Sequence, residues 1–593
     1  MFTIRHRFFF LGILTILHSV AVLHASDEAP IRYRVRIRGV EDRELRRELQ
    51  NVSVMEALSA RPPVSELQLR RRARRDPPLF KQVLRNHGYY DAKVETHFDL
   101  ERRRPRVQYE VDTGPTYHLR NVTLLSTDPD VNMPQAAAIG LQTGKVAIAS
   151  EILQADDEIV RILRTQGYAL ASIDTREVIV VHPERAVDVH YEIAPGKTYR
   201  FGETTIEGLQ NVEEPFIRRK IPWQEGEPFD GRLLSQARRR FVAADLFGAV
   251  RLETGDPPDD DDLLPISAKL TERKHRSITL GLGYGSDEGW RARTGWVHRN
   301  LLQRGERLSV DYMISERGQT GELAFKRPDY RRVDQNLHLL LQYEIEDTRA
   351  FRSEKAGTLA RITRPHRDDR LYGIGFGQRY AAVEEAENRQ AYNLLYLPIT
   401  VEQDRSDDPL DPRNGSRLNL GIAPYWDTLD TKIFFIKPRL SFTSYRPLSR
   451  RNNLDWAGRI TLASLLGESR NRIPADERYY AGGGGTIRGY RYQTVGPLED
   501  RTPTGGRSLF LFSQELRWRW SQRMGLVGFI DGGAVTEEAL FEKTVDEIRW
   551  GTGLGLRYFT PVGPLRFDVA MPIDRREGID DPWQFYISLG QAF

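Results

Sequence analysis

Arg488 stands in Gly482–Tyr490, read GGGGTIRGY, where glycines would let a thin hairpin carry it into a narrow space. The chemistry open to such a residue is ionic, and a charge taken out of water needs a partner because an unpaired one is prohibitively costly. Further along, Gly528-Phe529-Ile530-Asp531-Gly532-Gly533 offers a carboxylate, Asp531. An arginine on a glycine-rich loop, short alternating segments around it and an acidic partner on a later segment point to a loop folded back into a barrel lumen.

Covalent and metal chemistry find little support. There is no Gly-x-Ser-x-Gly elbow. The stretch from Gly140 to Val146 resembles a phosphate loop, but its spacing is one short and no Ser or Thr follows Lys145. Gly482–Gly485 has no lysine. The 12 histidines are scattered, with no His-Glu-x-x-His pair. Asp256–Asp262 lacks the glycine and terminal glutamate of a calcium loop and reads as a solvated turn. We expect no enzyme activity, no metal and no cofactor.

The elements that would position Arg488 fall into two parts. With 593 residues several units are expected. Arg5 and Arg7, the apolar run Phe8–Leu17 and a cleavage site near Ala25 read as a secretory signal, so the mature chain is expected from Ser26. No later apolar run approaches the ~20 residues of a membrane helix. With 0 cysteines there is neither a disulfide framework nor thiol chemistry. The net charge of +4 decides nothing about partners, and the arginine runs Arg70–Arg75 and Arg102–Arg106 read as solvated faces; no nucleic acid is expected.

Residues 26–272 repeat with a period of about 80 residues, the size of a small domain. Gly88-Tyr89-Tyr90 and Gly167-Tyr168 open strand pairs that end in Gly114-Pro115 and Pro195-Gly196, and Phe247-Gly248 continues the series. Each unit reads as strand, helix, helix, strand, strand. In the third, the strand Phe201–Glu207 precedes helices at Glu213–Lys220 and Gly231–Asp245, and Ala249–Glu253 and Pro265–Thr271 close the sheet. An edge strand in each could take up an extended client segment.

From Arg276 the period becomes two, through sixteen segments mostly ten to fourteen residues long that suit tilted membrane strands. Aromatics such as Trp290, Tyr343, Trp518 and Trp583 sit near segment ends, as an interfacial girdle requires. The expected fold is three α+β units followed by a 16-stranded antiparallel transmembrane β-barrel, with bounds 1–25, 26–114, 115–197, 198–273 and 274–593. Closing the barrel pairs first segment with last. The expected lateral seam therefore has Ile278, Gly281, Leu280, Gly283 and Leu282 on one side, and Phe585, Ile587, Leu589, Gly590 and Phe593 on the other. Glycines pack poorly against cross-strand neighbours, so this seam is expected to be weak. Gln591 falls on the lipid side by alternation.

Together these features resemble the BamA/TamA superfamily of outer-membrane assembly proteins, and the repeats resemble its POTRA domains. Ile487-Arg488-Gly489-Tyr490 matches that family's loop-six signature. Gly528–Asp531, with Phe529, matches the strand-thirteen motif whose aspartate pairs with the loop arginine, and Glu515 matches an acidic strand-twelve position facing the same loop. Pro561–Asp568 is similar to its penultimate-strand motif, and Asp408–Gly415 to the turn between strands eight and nine. Three units on sixteen strands look like the TamA branch. That resemblance implies an outer-membrane location with POTRA domains in the periplasm, client outer-membrane proteins and the lipid bilayer as partners, and a TamB-like inner-membrane-anchored protein. It implies assembly of β-barrel and autotransporter proteins by strand pairing at the seam. A two-partner-type secretion transporter and a lipid conduit with TamB are the alternatives; the soluble repeats argue against a plain porin.

Overall fold

The computed structural model describes residues 30–256, 262–285, 289–366, 369–429, 432–449, 453–541, 546–560, 563–589 and 591. The expected signal peptide, the middle of the Asp256–Asp262 turn, Pro561 and Val562, and the seam positions Gly590 and Phe593 lie outside them. The chain forms two compact units, one of residues up to 163 with 170–196 and one of residues 164–169 with 197–593.

The first unit holds two three-stranded sheets. In the first sheet Arg34–Arg38 runs parallel to the central strand Arg106–Asp112, and Lys93–Asp99 pairs antiparallel on its other side. Four helices, Arg43–Val52, Val54–Ala57, Glu66–Ala73 and Asp76–Arg85, stand where two were expected. The extra breaks have a local cause. Ser53 ends the first helix and its hydroxyl accepts from Glu56 N–H at 3.1 Å to start the second. The buried Asp76 accepts from Ser53 Oγ at 2.5 Å and from Val54 N–H at 2.8 Å, which fixes that corner. In the second sheet His118–Ser126 is parallel to Ala186–Ala194, with Ser172–Val181 antiparallel. Its first helix position is a single 3-10 turn, Ala136–Ile139, stopped by Gly140 at φ 85°; Ala149–Thr165 is its long helix.

The second unit begins with the third sheet. Arg200–Glu207 runs parallel to Leu263–Glu272, which pairs antiparallel with Phe247–Thr254. The helices Glu214–Arg218 and Gly231–Ala243 cover it. Phe201, Phe216, Phe241, Leu264 and Ile266 are fully buried between them, and Phe201 stacks on Trp223 at 4.8 Å. Burial at about 1.5–3 kcal/mol per large side chain makes these few residues the main support of so small a domain.

The barrel follows, an antiparallel closed sheet of sixteen strands. The eighth is broken into Asn388–Tyr396 and Ile399–Asp404, and both pieces pair with the seventh (Arg370–Glu385) and ninth (Gly415–Asp427). Pro398 lies in the gap; it has no N–H to give to a ladder. Alternation resolves as expected: Leu280, Tyr312, Leu341, Phe376 and Leu556 are exposed on the outer wall, while Tyr425, Phe435 and Leu511 are buried inside. Trp290, Tyr343, Trp518 and Trp583 are all exposed.

The third sheet's domain is bolted to the barrel turns nearest it. Lys220 and Asp329 form a buried ion pair at 2.6 Å. Asn300 Nδ2 donates to Asn211 O at 2.8 Å, Arg304 meets Glu213 at 2.7 Å, and Arg240 meets Asp334 at 3.1 Å. Gly305 fits under Phe216, where a Cβ would stand 2.9 Å from the ring.

The last strand of this domain ends on Glu272. Burial works against its charge, but N–H groups of Gln210, Asn211 and Val212 at 2.8–2.9 Å and the ring of His275 outweigh it. The carboxyl is brought down from 4.5 to about 2. A depressed folded-state value contributes stability that is present above the unfolded value and lost as pH falls through the folded one. We therefore expect this domain to lose stability between pH 4.5 and about 2, with Glu272→Gln removing that part of the pH dependence. Urea titrations read from a fluorine-labelled Trp223, buried in this core, would measure it.

Candidate functional site

The segment between the eleventh strand (Leu454–Ser464) and the twelfth (Ser508–Arg519) turns back into the barrel. Its residues Ile473, Tyr479, Ile487 and Tyr490 are buried against inward side chains of the wall such as Phe435 and Leu511. Arg488 is at its tip and is 2% exposed. Its Nε and Nη2 donate to the two oxygens of Asp531 at 2.6 and 2.9 Å, a bidentate pair, and its backbone N–H reaches Asp531 Oδ2 at 3.2 Å. Nη1 donates to Glu515 Oε1 at 2.8 Å and to Asp568 Oδ2 at 3.1 Å. The guanidinium carbon lies 3.5 Å from the centre of the Phe529 ring, a cation–π contact.

Those carboxylates stand on the twelfth strand, the thirteenth (Met524–Thr536) and the fifteenth (Gly563–Pro572), so one guanidinium ties three wall strands. All three are buried, and further cations complete the cluster: Arg517 at 2.9 Å from Glu515, and Arg557 and Arg566 on Asp568. Glycine makes the close approach possible on both sides. Gly489 has φ +100° and a Cβ there would stand 2.7 Å from Met571 backbone. Gly551 on the fourteenth strand (Arg549–Thr560) faces Arg488 O, which a Cβ would strike at 2.0 Å. Tyr490 donates its hydroxyl to Trp550 O at 3.0 Å.

The loop is anchored a second time. Glu477, fully buried, accepts from Arg379 of the seventh strand and from Lys437 of the tenth (Phe434–Pro447) at 3.0 Å. Arg478 forms a bidentate pair with Glu385 at 2.5 and 2.9 Å, and Asp476 lies 3.7 Å from Lys355 of the sixth strand (Arg352–His366). Sequence reasoning named Arg488, Asp531, Phe529 and Glu515, and the fold brings them together; it missed Asp568 as a third carboxylate. The available signal was an acidic residue on the inward face of a motif already noted. Asp476, Glu477 and Arg478 carried no periodic signal.

At the seam, Ile278, Leu280 and Leu282 are exposed on the outer wall, Leu282 at 87%, as are Phe585 and Ile587. Gly281 and Gly283 alternate with them, and a Cβ on Gly283 would meet Arg291 at 2.7 Å. The first strand (Arg276–Gly285) pairs with the second (Gly289–His298) at ten positions. With the last strand (Gln584–Leu589) it pairs at two, Tyr284↔Ile587 and Gly285↔Tyr586, among the described residues. Leu589 pairs instead with Leu565 of the fifteenth strand. Gln591 departs from expectation: it turns inward, donating from Nε2 to Asp411 Oδ1 at 3.0 Å and accepting from Arg557 Nε at 3.3 Å. Leu589 is the last strand residue among those described, and Gln591 lies outside the strand, where counting by twos no longer applies.

This geometry, a sixteen-strand barrel with an arginine loop held on its inner wall, has relatives. Residues 300–593 match the Omp85 superfamily domain. They belong to the Omp85 superfamily. BamA, an outer membrane protein assembly factor, of Nitratidesulfovibrio vulgaris is 24% identical over 544 residues, covering 88% of this chain and 68% of its own. BamA of Neisseria meningitidis is 21% identical over 577 residues, with 86% and 71% covered. The crystal structure of Haemophilus ducreyi BamA lacking POTRA domains 1–3 has the same fold, at TM-score 0.61 and 19% identity, over 79% of this chain and 99% of that one. The Omp85 barrel of this chain lies in the outer membrane, with its POTRA-like domains in the periplasm.

Arg488→Ala would take from the buried Asp531 its ion-pair partner and from Glu515 and Asp568 one of theirs, and we expect a loss of about 3–5 kcal/mol in the urea stability of the barrel. The double variant with Asp531→Ala is expected to cost less than the sum of the singles, because the two act as one unit. Gly551→Ala, which adds a single methyl against Arg488 O, is expected to expel the loop tip and expose it to protease while the outer wall stays folded.

Proposed function

We propose that this chain is an outer-membrane assembly factor that inserts β-barrel and autotransporter proteins by templated strand pairing at the seam between its first and last strands. The observation that carries this reading is the two-residue ladder there among the described residues, against ten pairs between the first strand and the second. Unpaired backbone costs several kcal/mol per group in lipid, so a client strand gains most by entering the bilayer already paired to an edge. A short seam is a place where such an edge opens at small cost, and β-augmentation supplies the sequence-tolerant recognition. No covalent step is needed. The assembly role of the BamA relatives supports the reading.

The three POTRA-like sheets among the described residues support a TamA-type branch, with a TamB-like periplasm-spanning protein as partner. The lumen loop weighs against a conduit for a secreted protein or for lipid, since buried side chains from Ile473 to Tyr490 occupy the interior.

Cysteines at Tyr284 and Ile587, which face each other across the seam, test it. The chain has no cysteine of its own, so any crosslink is unambiguous. Oxidation is expected to abolish assembly of client barrels in cells and reduction to restore it, with the barrel folded throughout. A locked protein that assembles clients normally sinks the proposal.

A further inference from the structure

The last strand is gripped unevenly. It pairs with the fifteenth strand from Leu565↔Leu589 to Ala570↔Gln584, but with the first at two positions only among the described residues. Yet Tyr586 on this strand and Gln591 just past it are caught from inside the barrel.

The first is Tyr586, 4% exposed and packed with Val527, Phe529 and Ala570. Its hydroxyl accepts from Gly489 N–H at 3.2 Å, so the residue after Arg488 rests on it. Gly484, on the same loop, lies so near that a Cβ would stand 2.8 Å from the Tyr586 ring. Phe529 packs in the Tyr586 cluster and lies against the Arg488 guanidinium, so one side chain joins the ion cluster to the last strand. Tyr586 is also one of the two seam residues still in the ladder.

The second is Gln591. Its contact with Asp411 comes from the turn between the eighth and ninth strands, on the periplasmic side. That turn is itself held: Arg519 donates to Asp411 Oδ2 at 2.5 Å and Arg517 to Pro412 O at 3.4 Å. The turn therefore reaches from the eighth and ninth strands to the twelfth and to the end of the chain.

We infer that Tyr586 and Gln591 are positioning residues, which hold the last strand at the seam from the lumen side, one through the Arg488 loop and one through the Asp411 turn. Closure of the seam is then set by these two clips more than by the ladder. The inference rests on the seam reading above for its purpose, but not for its test, which needs no client.

Spin labels on cysteines at Leu282 and Phe585 report the distance across the seam in purified full-length protein in phospholipid vesicles. Labels at Leu556 and Phe567, opposite each other on the fourteenth and fifteenth strands, serve as control. Tyr586→Phe removes only a hydroxyl, and Gln591→Ala removes the amide with one methylene. Tyr586→Phe is expected to raise the open-to-closed ratio at the seam about five-fold, the worth of one net hydrogen bond. Gln591→Ala is expected to raise it at least as much, since it loses the bonds to Asp411 and Arg557, and the double variant more, with the control distances unchanged. Seam distances that stay as in the parent overturn the inference. So does equal broadening of both pairs, which would mean general packing rather than positioning. A failed disulfide test with a successful result here would instead remove the insertion role and leave the clips standing.

Discussion

A guanidinium buried in the lumen wall is the constraint around which the barrel is arranged. Arg488 at 2% exposure has given up its hydration, and only fixed counter-charges make that tolerable. Three carboxylates from three different strands supply them, and two are held by further arginines, Glu515 by Arg517 and Asp568 by Arg557 and Arg566. Such a cluster is weak evidence for net stability, because apolar residues of the same volume could do as well. What it does supply is uniqueness. A planar fork with five donors fits one arrangement of the twelfth, thirteenth and fifteenth strands, and a slip of register would leave charges unmatched.

The second anchorage gives this cluster a mechanical meaning. Asp476, Glu477 and Arg478 fasten the near part of the same loop to the sixth, seventh and tenth strands. The loop is thus a strut across the lumen, ionic at both feet and apolar between them. An ordinary barrel keeps its shape by an unbroken ring of ladder hydrogen bonds. Here the ring is thin at one point, and the strut supplies the stiffness that the ladder lacks.

Much of this was legible in the residues. The switch to period two at Arg276 announced the barrel, since lipid on one face and lumen on the other leave no other pattern. The glycines beside Arg488 and the carboxylate of Asp531 announced the loop, because both follow from fitting a charge into a tight space. The repeat units were readable from Gly88 and Gly167, whose carbonyls each accept from the tyrosine that opens the next sheet, Tyr117 and Tyr199. What stayed hidden shares one character. Lys220 with Asp329, Glu477 with Lys437 and Gln591 with Asp411 are pairs distant in sequence and drawn from polar turns. Charged residues in turns are the ordinary surface of any protein, and only the closed fold says which of them meet. Gln591 was misplaced for a related reason: alternation is a property of paired strand, and Gln591 lies outside the strand Gln584–Leu589.

The bolts between the third periplasmic domain and the turns at Asn300–Glu306 and Asp329–Asp334 fall on the second to fifth strands, on the first strand's side of the seam. The last strand has side-chain ties to the lumen loop and to the Asp411 turn, beside one ring contact across the seam, Phe585 with Tyr284 at 5.9 Å. The two lips of the seam accordingly belong to different bodies: one is geared to the periplasmic arm, the other to the interior strut. A swing of that arm acts first on one lip, so that shear between them becomes the natural response to a pull from the periplasm.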